Sequence, residues 1–557
     1  MRRRTKAAAL CSGALLVGLV LPGAAHGGPP QSRPTADRPN LVVVMVDDMS
    51  AEIADYMSEV QLLADEGVSF TNYIVSNSLC CPSRATFLSG KYPHNSKVEG
   101  NYWPKGGFGR FLNNDIETNV APYLSTAGYR TGLIGKYLNQ YEPEGDTDGV
   151  NPPDYPPAYV PPGWDEWFST GWGYQQFDYQ AVDSVDGVTE LVDHSGGDEA
   201  DYFTDVMSAR AGDFIDRAVE APGADPFFLT LTPFAVHSAK EEEDPQQPAA
   251  PHFPPAPRDR ADSPDRPGDW AEPEFESGDC GSSGDGGCDD VAFPDPTWGS
   301  FNEIMNDPPS WLPTEPLTAD KIESFQQDHL ERVQAAQAVN DLIGDVRGHL
   351  ADAGVADDTY IIFTADNGFH LGEHALDAGK GTAYDHDVRV PLIVYPPGGA
   401  AARSRTKITQ NTDLLPTLLE LAGAELPDDL DGTSLVPLIE GDATGSWRKT
   451  AFISYDGFQT RPAADKVDPD RESGQDHAPP YVALRTKDSL YVDYSKLDDK
   501  TPKASKAEYF DLDDDPYMLV NLYRSLSDAD RSALNDMALD YEACAGPDCW
   551  DLGLTAP

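Results

Sequence analysis

The sequence predicts an α/β protein with a large, mostly parallel sheet sandwiched by helices, followed by a smaller α+β domain. Apolar runs of strand length alternate with helical stretches across residues 39–440, which favours a parallel sheet covered on both faces. Two of these runs end in carboxylates, and beyond residue 441 the chain changes to short alternating strands. In such sheets the ligand site lies beyond the carboxyl ends of the strands.

The first predicted strand, residues 40–48, is a continuous apolar run that ends in two aspartates, which is typical of a buried parallel strand. The other strands predicted in the large domain are 68–73, 129–136, 226–232, 359–364 and 391–395. The helices predicted there are 51–66, 201–219 and 319–353. We therefore expect residues 39–440 to form the main domain.

Two segments depart from this alternation. Residues 241–316 are rich in Pro, Gly and Asp without sustained periodicity, so we expect an irregular surface excursion. Residues 441–557 are expected to form the small α+β domain, with strands at 481–485 and 489–494 and a helix at 528–542.

The amino-terminal residues predict export. Arg2, Arg3, Arg4 and Lys6 precede an apolar run and then small residues, the order found in a signal peptide, which we place at 1–26 with a linker at 27–38. A membrane anchor is the alternative, but the apolar run is about 15 residues and a span needs roughly 20. The arginines would also suit twin-arginine export. We expect a secreted, extracellular protein without a membrane partner after signal removal.

The formal net charge is −54, which disfavours nucleic acid as a partner. A field of this sign does not attract anionic glycans at long range, so cations that bind an anionic substrate must be local. Of the seven cysteines, Cys11 lies in the expected signal peptide. Outside the cell the pairs Cys280–Cys288 and Cys544–Cys549 are expected to form short disulfide loops. Cys80 and Cys81 allow a vicinal disulfide or a separate use of Cys80.

The residues after Cys80 predict a helix that begins at this cysteine. Pro82 suits the first turn of a helix, and Ser83 could cap nearby amides. Backbone N–H groups at a helix start favour an anion, and Arg84 would point its donors at that anion. The alternative is an ordinary proline-started helix with a buried thiol.

Four polar side chains follow two of the predicted strands: Asp47, Asp48, Asp366 and Asn367. Carboxylate and amide oxygens are the ligands that Ca²⁺ or Mg²⁺ takes, and two adjacent acids at a strand end need compensation. The sequence therefore predicts one hard-cation site where the two strand ends meet. The alternative for either pair alone is an exposed turn.

The run CCPSR at residues 80–84, followed by Leu88 and by GKYPHN at residues 90–95, resembles the signature of the sulfatase family. The extended run is most similar to N-acetylglucosamine-6-sulfatases and the related extracellular heparan sulfatases. The resemblance implies an alkaline-phosphatase-like fold and conversion of Cys80 to Cα-formylglycine by a formylglycine-generating enzyme. The hydrated aldehyde would then be the nucleophile.

The resemblance also implies a role for each matching residue. Asp47, Asp48, Asp366 and Asn367 would hold one Ca²⁺ together with the oxygen at position 80. Lys136, His237 and Lys380 would bind the sulfate and assist the leaving group, with Arg84 neutralising sulfate oxygens and Asp366 accepting the nucleophile's proton. Many sulfatases have a histidine two residues after the lysine that matches Lys136, whereas this chain has Leu138, so the base of the second step is open.

The run HLGEH at residues 370–374 fits the H-x-x-E-H pattern of some zinc peptidases. That pattern requires a helix, but this run follows a predicted strand end and contains Gly372. We therefore expect His370 to line the substrate pocket instead.

We predict a sulfuric ester hydrolase whose substrate is a sulfated sugar, of the 6-O-sulfated N-acetylglucosamine type, or an aryl sulfate. One alternative is a phosphodiesterase or phosphonate monoester hydrolase on the same fold, because a metal beside an arginine serves both tetrahedral anions. The other is an inactive relative that binds sulfated glycans.

Overall fold

The computed structural model describes residues 38–146, 154–220, 225–239, 252–259, 299–441, 445–457, 478–494 and 507–557. The expected signal peptide, all but the last residue of the expected linker, and the Cys280–Cys288 pair lie outside these residues. The described parts of the expected excursion, 252–259 and 299–316, contain one 3₁₀ turn and isolated bridges.

Strands and helices alternate along the first part of the described chain. The strands are β1 Asn40–Val46, β2 Val68–Phe70, β3 Tyr73–Ile74, β4 Arg130–Lys136, β5 Glu166–Thr170, β6 Tyr179–Val185, β7 Val188–His194, β8 Phe227–Thr232, β9 Thr359–Ala365, β10 Leu392–Tyr395, β11 Arg403–Arg405, β12 Thr409–Gln410, β13 Thr450–Tyr455, β14 Tyr481–Thr486, β15 Ser489–Asp493 and β16 Ala507–Asp511. The α-helices are α1 Ser58–Asp65, α2 Cys80–Ser89, α3 Pro93–Ser96, α4 Gly107–Asn114, α5 Val120–Thr126, α6 Phe203–Glu220, α7 Ala319–Asp352, α8 Asp385–Val388, α9 Leu414–Ala422, α10 Val436–Glu440, α11 Asp528–Ala543 and α12 Pro547–Gly553. Short 3₁₀ helices lie at Ala51–Tyr56, Glu199–Asp201, Pro257–Asp259, Ala356–Asp358, Asn411–Asp413 and Tyr523–Ser525.

Ten strands of the described chain form one sheet in the order β11-β2-β10-β9-β1-β8-β4-β5-β6-β7. The central neighbours β9, β1, β8, β4 and β5 are parallel. Strands β10, β6 and β7 run antiparallel to their neighbours. The prediction of a large, mostly parallel sheet is confirmed, with antiparallel strands placed towards its edges.

The centre of this sheet is β1, in which every residue is buried. Its run of valines suits a strand covered on both faces, because branched side chains pack well on a pleated surface. Helix α6 packs against β4 and β8, and α7 packs against α1 and α6. The apolar core follows from this covering, since burying each such side chain stabilises the fold by about 1.5–3 kcal/mol.

The predicted helix 51–66 is two helices in the structure. A 3₁₀ helix at Ala51–Tyr56 is followed by α1, and Met57 between them has extended backbone angles, φ −113° and ψ 100°. The predicted strand 68–73 also divides, because β2 joins the large sheet whereas β3 pairs with β12. Periodicity alone does not reveal such breaks.

Strands β5, β6 and β7 were not predicted. β7 forms the edge of the sheet and is largely exposed, so its polar side chains carry little hydrophobic pattern. It pairs antiparallel with β6 along its whole length.

The carboxyl-terminal residues contain a second, four-stranded sheet in the order β13-β14-β15-β16, with all neighbours antiparallel. Helix α11 packs against β14. Cys544 and Cys549 form the expected disulfide. This smaller domain is as predicted, although β13 and β16 were missed.

Candidate active site

The acids predicted to bind a cation lie side by side because of strand register. β1 and β9 are parallel, with Val46 opposite Ala365. Asp47–Asp48 and Asp366–Asn367 therefore leave the sheet at the same level. The Asp48 amide donates to Asp366 Oδ1 at 3.1 Å, and Asn367 Nδ2 donates to Asp48 Oδ1 at 2.7 Å. All four side chains are fully buried, so the exposed-turn alternative is wrong.

Asp48 has a φ of 54°, in the left-handed region. Aspartate tolerates this conformation better than most residues, because its short polar side chain can hydrogen-bond locally. The turn after β1 thereby aims the carboxylate at the start of α2.

Helix α2 begins at Cys80, as predicted. Cys80 Sγ lies 3.5 Å from Asp48 Oδ1. Both Cys80 and Cys81 are free thiols, so the vicinal disulfide is not formed. Two asparagines that sequence reasoning missed fix the helix start: Asn77 Oδ1 accepts from the Leu79 amide at 2.9 Å, and Asn101 Oδ1 accepts from the Cys81 amide at 3.1 Å.

Ser83 does not cap amides, contrary to expectation. Its hydroxyl donates to the carbonyl of Asp366 and accepts from Asn411 Nδ2 at 3.0 Å. Ser83 thus ties α2 to the end of β9, which holds Cys80 beside the acids.

Arg84, one turn further along α2, faces the acids. Its Nε donates to Asp366 Oδ2 at 2.6 Å, its Nη1 donates to the Lys136 carbonyl at 3.0 Å, and its Nη2 lies 3.3 Å from Asp47 Oδ1. The guanidinium therefore bridges the ends of β1, β9 and β4, and its pKa is raised by Asp366 and Asp47 despite burial.

Three further predicted residues meet here. Lys136, the last residue of β4, donates to Asp47 Oδ2 at 2.7 Å. Lys380, in the loop between β9 and β10, donates to Asp48 Oδ2 at 2.7 Å and to Cys80 Sγ at 3.0 Å. His237 Nε2 lies 3.3 Å from Asp48 Oδ2 and 3.4 Å from Lys380 Nζ. His237 Nδ1 lies 2.8 Å from the Ser238 carbonyl, which can only accept, so Nδ1 carries a proton.

Burial and charge set the protonation of this cluster. Burial favours the neutral form of Asp47, but Lys136, His237 and Arg84 together lower its pKa below the ordinary value. Burial and the neighbouring Asp48 raise the pKa of the Cys80 thiol well above its ordinary value. Because only a thiolate is a strong nucleophile, the unmodified cysteine is poorly suited to attack a substrate.

The carboxylates of Asp47 and Asp48 fit a hard divalent cation. Donor atoms of Asp47, Asp48, Cys80 and His237 lie within 4.8 Å of one another. Asn367 Oδ1 is buried and, among the described residues, has no hydrogen-bond partner. A buried acceptor without a partner is unfavourable unless a ligand satisfies it. Carboxylate and amide oxygens are the ligands of Ca²⁺ and Mg²⁺.

His370 is placed apart from the other predicted residues. Its Nδ1 lies 3.0 Å from Asp387 Oδ1, and its backbone pairs with Gly379, next to Lys380. Residues 370–374, all of which the structure describes, form bends and isolated bridges rather than a helix. The helical zinc-peptidase alternative is therefore wrong. Leu138 is buried in the apolar core.

Two other neighbours of the site were missed. Arg332 on α7 donates from Nη2 to the Asp48 carbonyl at 2.8 Å and to Ser50 Oγ at 3.0 Å. The ring of Tyr174 lies 4.9 Å from Lys136 Nζ and 4.5 Å from the His237 ring. Arg332 could have been found as a charged residue on the apolar face of α7. Tyr174 lies in an irregular segment that offers no comparable signal.

Comparisons with known proteins agree with this geometry. The family model described as Sulfatase matches residues 39–424, more than half of the chain. A model described as N-sulphoglucosamine sulphohydrolase, C-terminal, matches residues 372–537. N-acetylglucosamine-6-sulfatase of Homo sapiens is 28% identical over 547 residues, covering 93% of this chain and 87% of that protein.

An extracellular sulfatase relative and a solved structure extend the comparison. The putative extracellular sulfatase Sulf-1 homolog of Caenorhabditis elegans is 29% identical over 427 residues, 74% of this chain and 52% of that protein. One solved structure, described as a complex with its substrate D-glucosamine-2-N,6-O-disulfate, has a TM-score of 0.61 at 21% identity and covers 92% of this chain and 98% of that chain. At this identity the match shows the fold.

None of the helices in the described ranges combines the length and apolar character needed to cross a membrane.

The predicted resemblance to sulfatases, including the N-acetylglucosamine-6-sulfatase and extracellular branches, is confirmed. The buried acids at the ends of β1 and β9, the helix that starts at Cys80 and the family match lead to one conclusion: the chain belongs to the sulfatase family and is a sulfatase enzyme.

Proposed function

We propose that this sulfatase removes 6-O-sulfate from glucosamine-type sugars, with Cys80 converted to formylglycine and one Ca²⁺ bound beside it. The observation that carries the proposal is the contact set around Cys80, in which Asp48 and Lys380 both touch the sulfur. Relatives named N-acetylglucosamine-6-sulfatase and a fold neighbour described with a 6-O-sulfated glucosamine support the choice of sugar.

The balance of charge supports binding of a cation together with an anion. Three carboxylates, from Asp47, Asp48 and Asp366, face the cations of Arg84, Lys136 and Lys380. The cation would be held by the oxygens of Asp47, Asp48, Asp366 and Asn367, and it supplies positive charge to the sulfate and to the nucleophile. With the cation bound, Lys136 and Lys380 would donate to sulfate oxygens as well as to these carboxylates.

The nucleophile must come from position 80. Formylglycine would supply a hydrated aldehyde: one hydroxyl would displace the sugar oxygen from sulfur, and the other would lose its proton and expel sulfate, which restores the aldehyde. Asp366 remains the predicted acceptor of the hydroxyl proton, although the carboxylate in contact with Cys80 is that of Asp48. Lys380 and His237 lie on the same side of Cys80, where either can protonate the departing sugar oxygen.

Mass spectrometry of the peptide that holds Cys80, together with a substrate panel, tests the proposal. We expect the aldehyde at Cys80 in protein co-expressed with a formylglycine-generating enzyme. We also expect release of sulfate from 6-O-sulfated N-acetylglucosamine in preference to a 3-O-sulfated isomer, an aryl sulfate and an aryl phosphodiester. Faster cleavage of the phosphodiester would favour the phosphodiesterase alternative.

The adjacent cysteine provides a matched control. Cys81→Ala removes an equally buried thiol and should keep the aldehyde and activity, whereas Cys80→Ala should lose both. A Cys80→Ala variant that still turns over substrate would overturn the mechanism. A native protein with no aldehyde at Cys80 that still binds sulfated sugar would favour the inactive glycan-binding alternative.

Secretion is part of the same proposal. The Arg2–Lys6 cations followed by an apolar run support a cleaved signal peptide. Amino-terminal sequencing of protein recovered from the culture medium should begin near residue 27. Full-length protein retained in the membrane fraction would instead favour an anchor.

A further inference from the structure

A second cluster of ionisable side chains lies outside the acidic site, in and after the loop that follows β9. The rings of His374 and His386 are 5.6 Å apart, and the rings of His370 and His386 are 5.5 Å apart. Asp387 on α8 is fully buried beside them. Three imidazoles in contact around one buried carboxylate are more than a helix or turn requires.

Two of the histidines face the same carboxylate oxygen. His370 Nδ1 lies 3.0 Å from Asp387 Oδ1, and His386 Nε2 lies 4.0 Å from the same atom. All three donor atoms lie within 4.8 Å of one another. Two nitrogen ligands and one oxygen ligand of a tetrahedral Zn²⁺, each about 2.0–2.2 Å from the ion, would be separated by a little over 3 Å, close to this spacing.

The outer contacts of this trio resemble those of a metal site. Asp387 Oδ2 accepts from the Thr382 amide at 2.8 Å and from Thr382 Oγ1 at 2.7 Å. His370 also bonds to the backbone of Asp377. Metal ligands are commonly oriented by such contacts from carbonyls, amides and hydroxyls, which fix the ring or carboxylate.

Several nitrogens here are buried without a partner. Among the residues that the structure describes, His386 Nε2 and both ring nitrogens of His374 make no hydrogen bond. The alternative to a metal is a simple ion pair between His370 and Asp387. Such a pair would account for the raised pKa of His370, because burial lowers this pKa but Asp387 raises it. It leaves His386 Nε2 and both ring nitrogens of His374 without a hydrogen-bond partner in the described part of the chain, which is unfavourable in a buried position.

We propose that His370, His386 and Asp387 bind one Zn²⁺, separately from the oxygen-lined active site. Two imidazole nitrogens and a single carboxylate suit zinc, whereas calcium requires six to eight oxygens. The ring of His374 packs against the ring of His386.

The site would brace the loop that carries Lys380. His370 exchanges backbone hydrogen bonds with Gly379, and the Asp387 carboxylate accepts from the Thr382 amide. The two proposed ligands therefore bind the loop on both sides of Lys380. A zinc ion joining His370 to α8 would restrict this loop in the same place. Its role is therefore structural, and the ion itself takes no part in sulfate transfer.

Zinc binding to the calcium-saturated, full-length mature protein tests this proposal. We expect one Zn²⁺ per chain by elemental analysis after gel filtration, with nitrogen ligands visible by X-ray absorption. His386→Phe keeps an aromatic ring in place and should lose that zinc. His349→Phe, which changes a 41% exposed histidine elsewhere, should keep it.

Two variants separate the possible outcomes. Thr382→Val removes the hydroxyl that donates to Asp387 and accepts from the Tyr384 amide, and it should weaken zinc binding about tenfold, which keeps the test valid if His386→Phe does not fold. Zinc that is lost in Asp48→Asn but retained in His386→Phe has bound the oxygen-lined site, and this result would overturn the proposal. Equal zinc in wild type and His386→Phe would also overturn it. Zinc binding needs no turnover, so a protein that binds zinc here but cleaves no sulfate ester would disprove only the proposed function.

Discussion

Two buried clusters that pair acidic with basic side chains differ in how the protein compensates their carboxylates. In the first, Asp413 and Arg448 form a two-point ion pair at 2.6 and 2.9 Å. The remaining bonds to this carboxylate come from the amides of Thr433 and Gln410, both at 2.9 Å. In the second, the active-site cluster, three carboxylates crowd together.

The active-site cluster contains carboxylates that repel each other and a buried acceptor that lacks a donor in the part of the chain that the structure describes. Asp47 and Asp48 are adjacent in sequence and both fully buried, so each opposes ionisation of the other. Asn367 Oδ1 has no hydrogen-bond partner within the described residues. The difference teaches that a buried carboxylate with its own cation and amide donors stabilises the fold, whereas crowded carboxylates beside an amide oxygen that lacks a partner in the described ranges are arranged for a ligand.

The largest effect is expected when the ion pair between Asp413 and Arg448 is broken. Arg448→Met keeps the length of the side chain but leaves Asp413 buried without its cation, which should lower the free energy of unfolding by about 3–5 kcal/mol. Urea unfolding measures this loss, and kcat/KM of the protein that remains folded should be unchanged. A loss below about 1 kcal/mol would mean that the pair does not carry the stability assigned to it.

Removal of the proposed Ca²⁺ should act on the active-site cluster. If Ca²⁺ is present at about 1,000 times its Kd, chelation should lower the free energy of unfolding by about 4 kcal/mol and abolish sulfate release. Thermal melting with and without a chelator measures the effect, and added Ca²⁺ should restore both properties. Arg448→Met should show the same difference between its two melts, because its pair lies outside the cation site.

Asp48→Asn should affect activity more than stability. The change removes one charge from a crowded group of acids, so we expect kcat/KM to fall about 10²- to 10³-fold while the melting temperature changes little. Steady-state kinetics and melting in the same buffer measure the two effects. Asp528→Asn changes a 98% exposed aspartate and serves as the control. A loss of stability as large as that of Arg448→Met would contradict the distinction between the clusters.

Glu508 forms a third buried acidic site, in which its partners are tyrosine hydroxyls instead of a cation. Burial raises the pKa of Glu508 to about 7, and its oxygens accept from the hydroxyls of Tyr494 at 2.6 Å and Tyr384 at 3.0 Å. In the unfolded chain the carboxyl of Glu508 loses its proton near the ordinary glutamate pKa of 4.5. Stability from this group is therefore present below that value and is lost as the pH rises to about 7.

Glu508→Gln should flatten this pH dependence. Glutamine stays neutral, so the variant should lose about 2–3 kcal/mol less than wild type between pH 4.5 and 7. Denaturant unfolding at several pH values measures the slope. An unchanged slope would show that Glu508 is ionised in the folded protein. This is the smallest of the four expected effects. Other groups that titrate over the same pH range add to the slope of both proteins.

Much of the candidate site could be predicted because its residues lie in short, local patterns. The CCPSR run marks the start of α2, and the acids directly follow apolar strands. The pairing of β1 with β9 follows from none of these patterns. Asp48 and Asn367, which are hydrogen-bonded, are separated by 319 positions in sequence.

Local patterns failed where a contact from elsewhere in the chain decided the outcome. Ser83 bonds to the end of β9 instead of capping its own helix. Arg332 reaches the Asp48 carbonyl from a long helix. Each of these is a tertiary contact, so periodicity within a short window carries no trace of it.

The sequence by itself determined the class of fold, the helix start at Cys80 and the residue types of the cluster, because hydrophobic periodicity and motifs are local properties. Only the tertiary structure decided which carboxylate touches Cys80, which acceptor is left without a partner and which histidines share Asp387. These three features depend on strand register and on the placement of loops. Contacts between distant parts of the chain determine both.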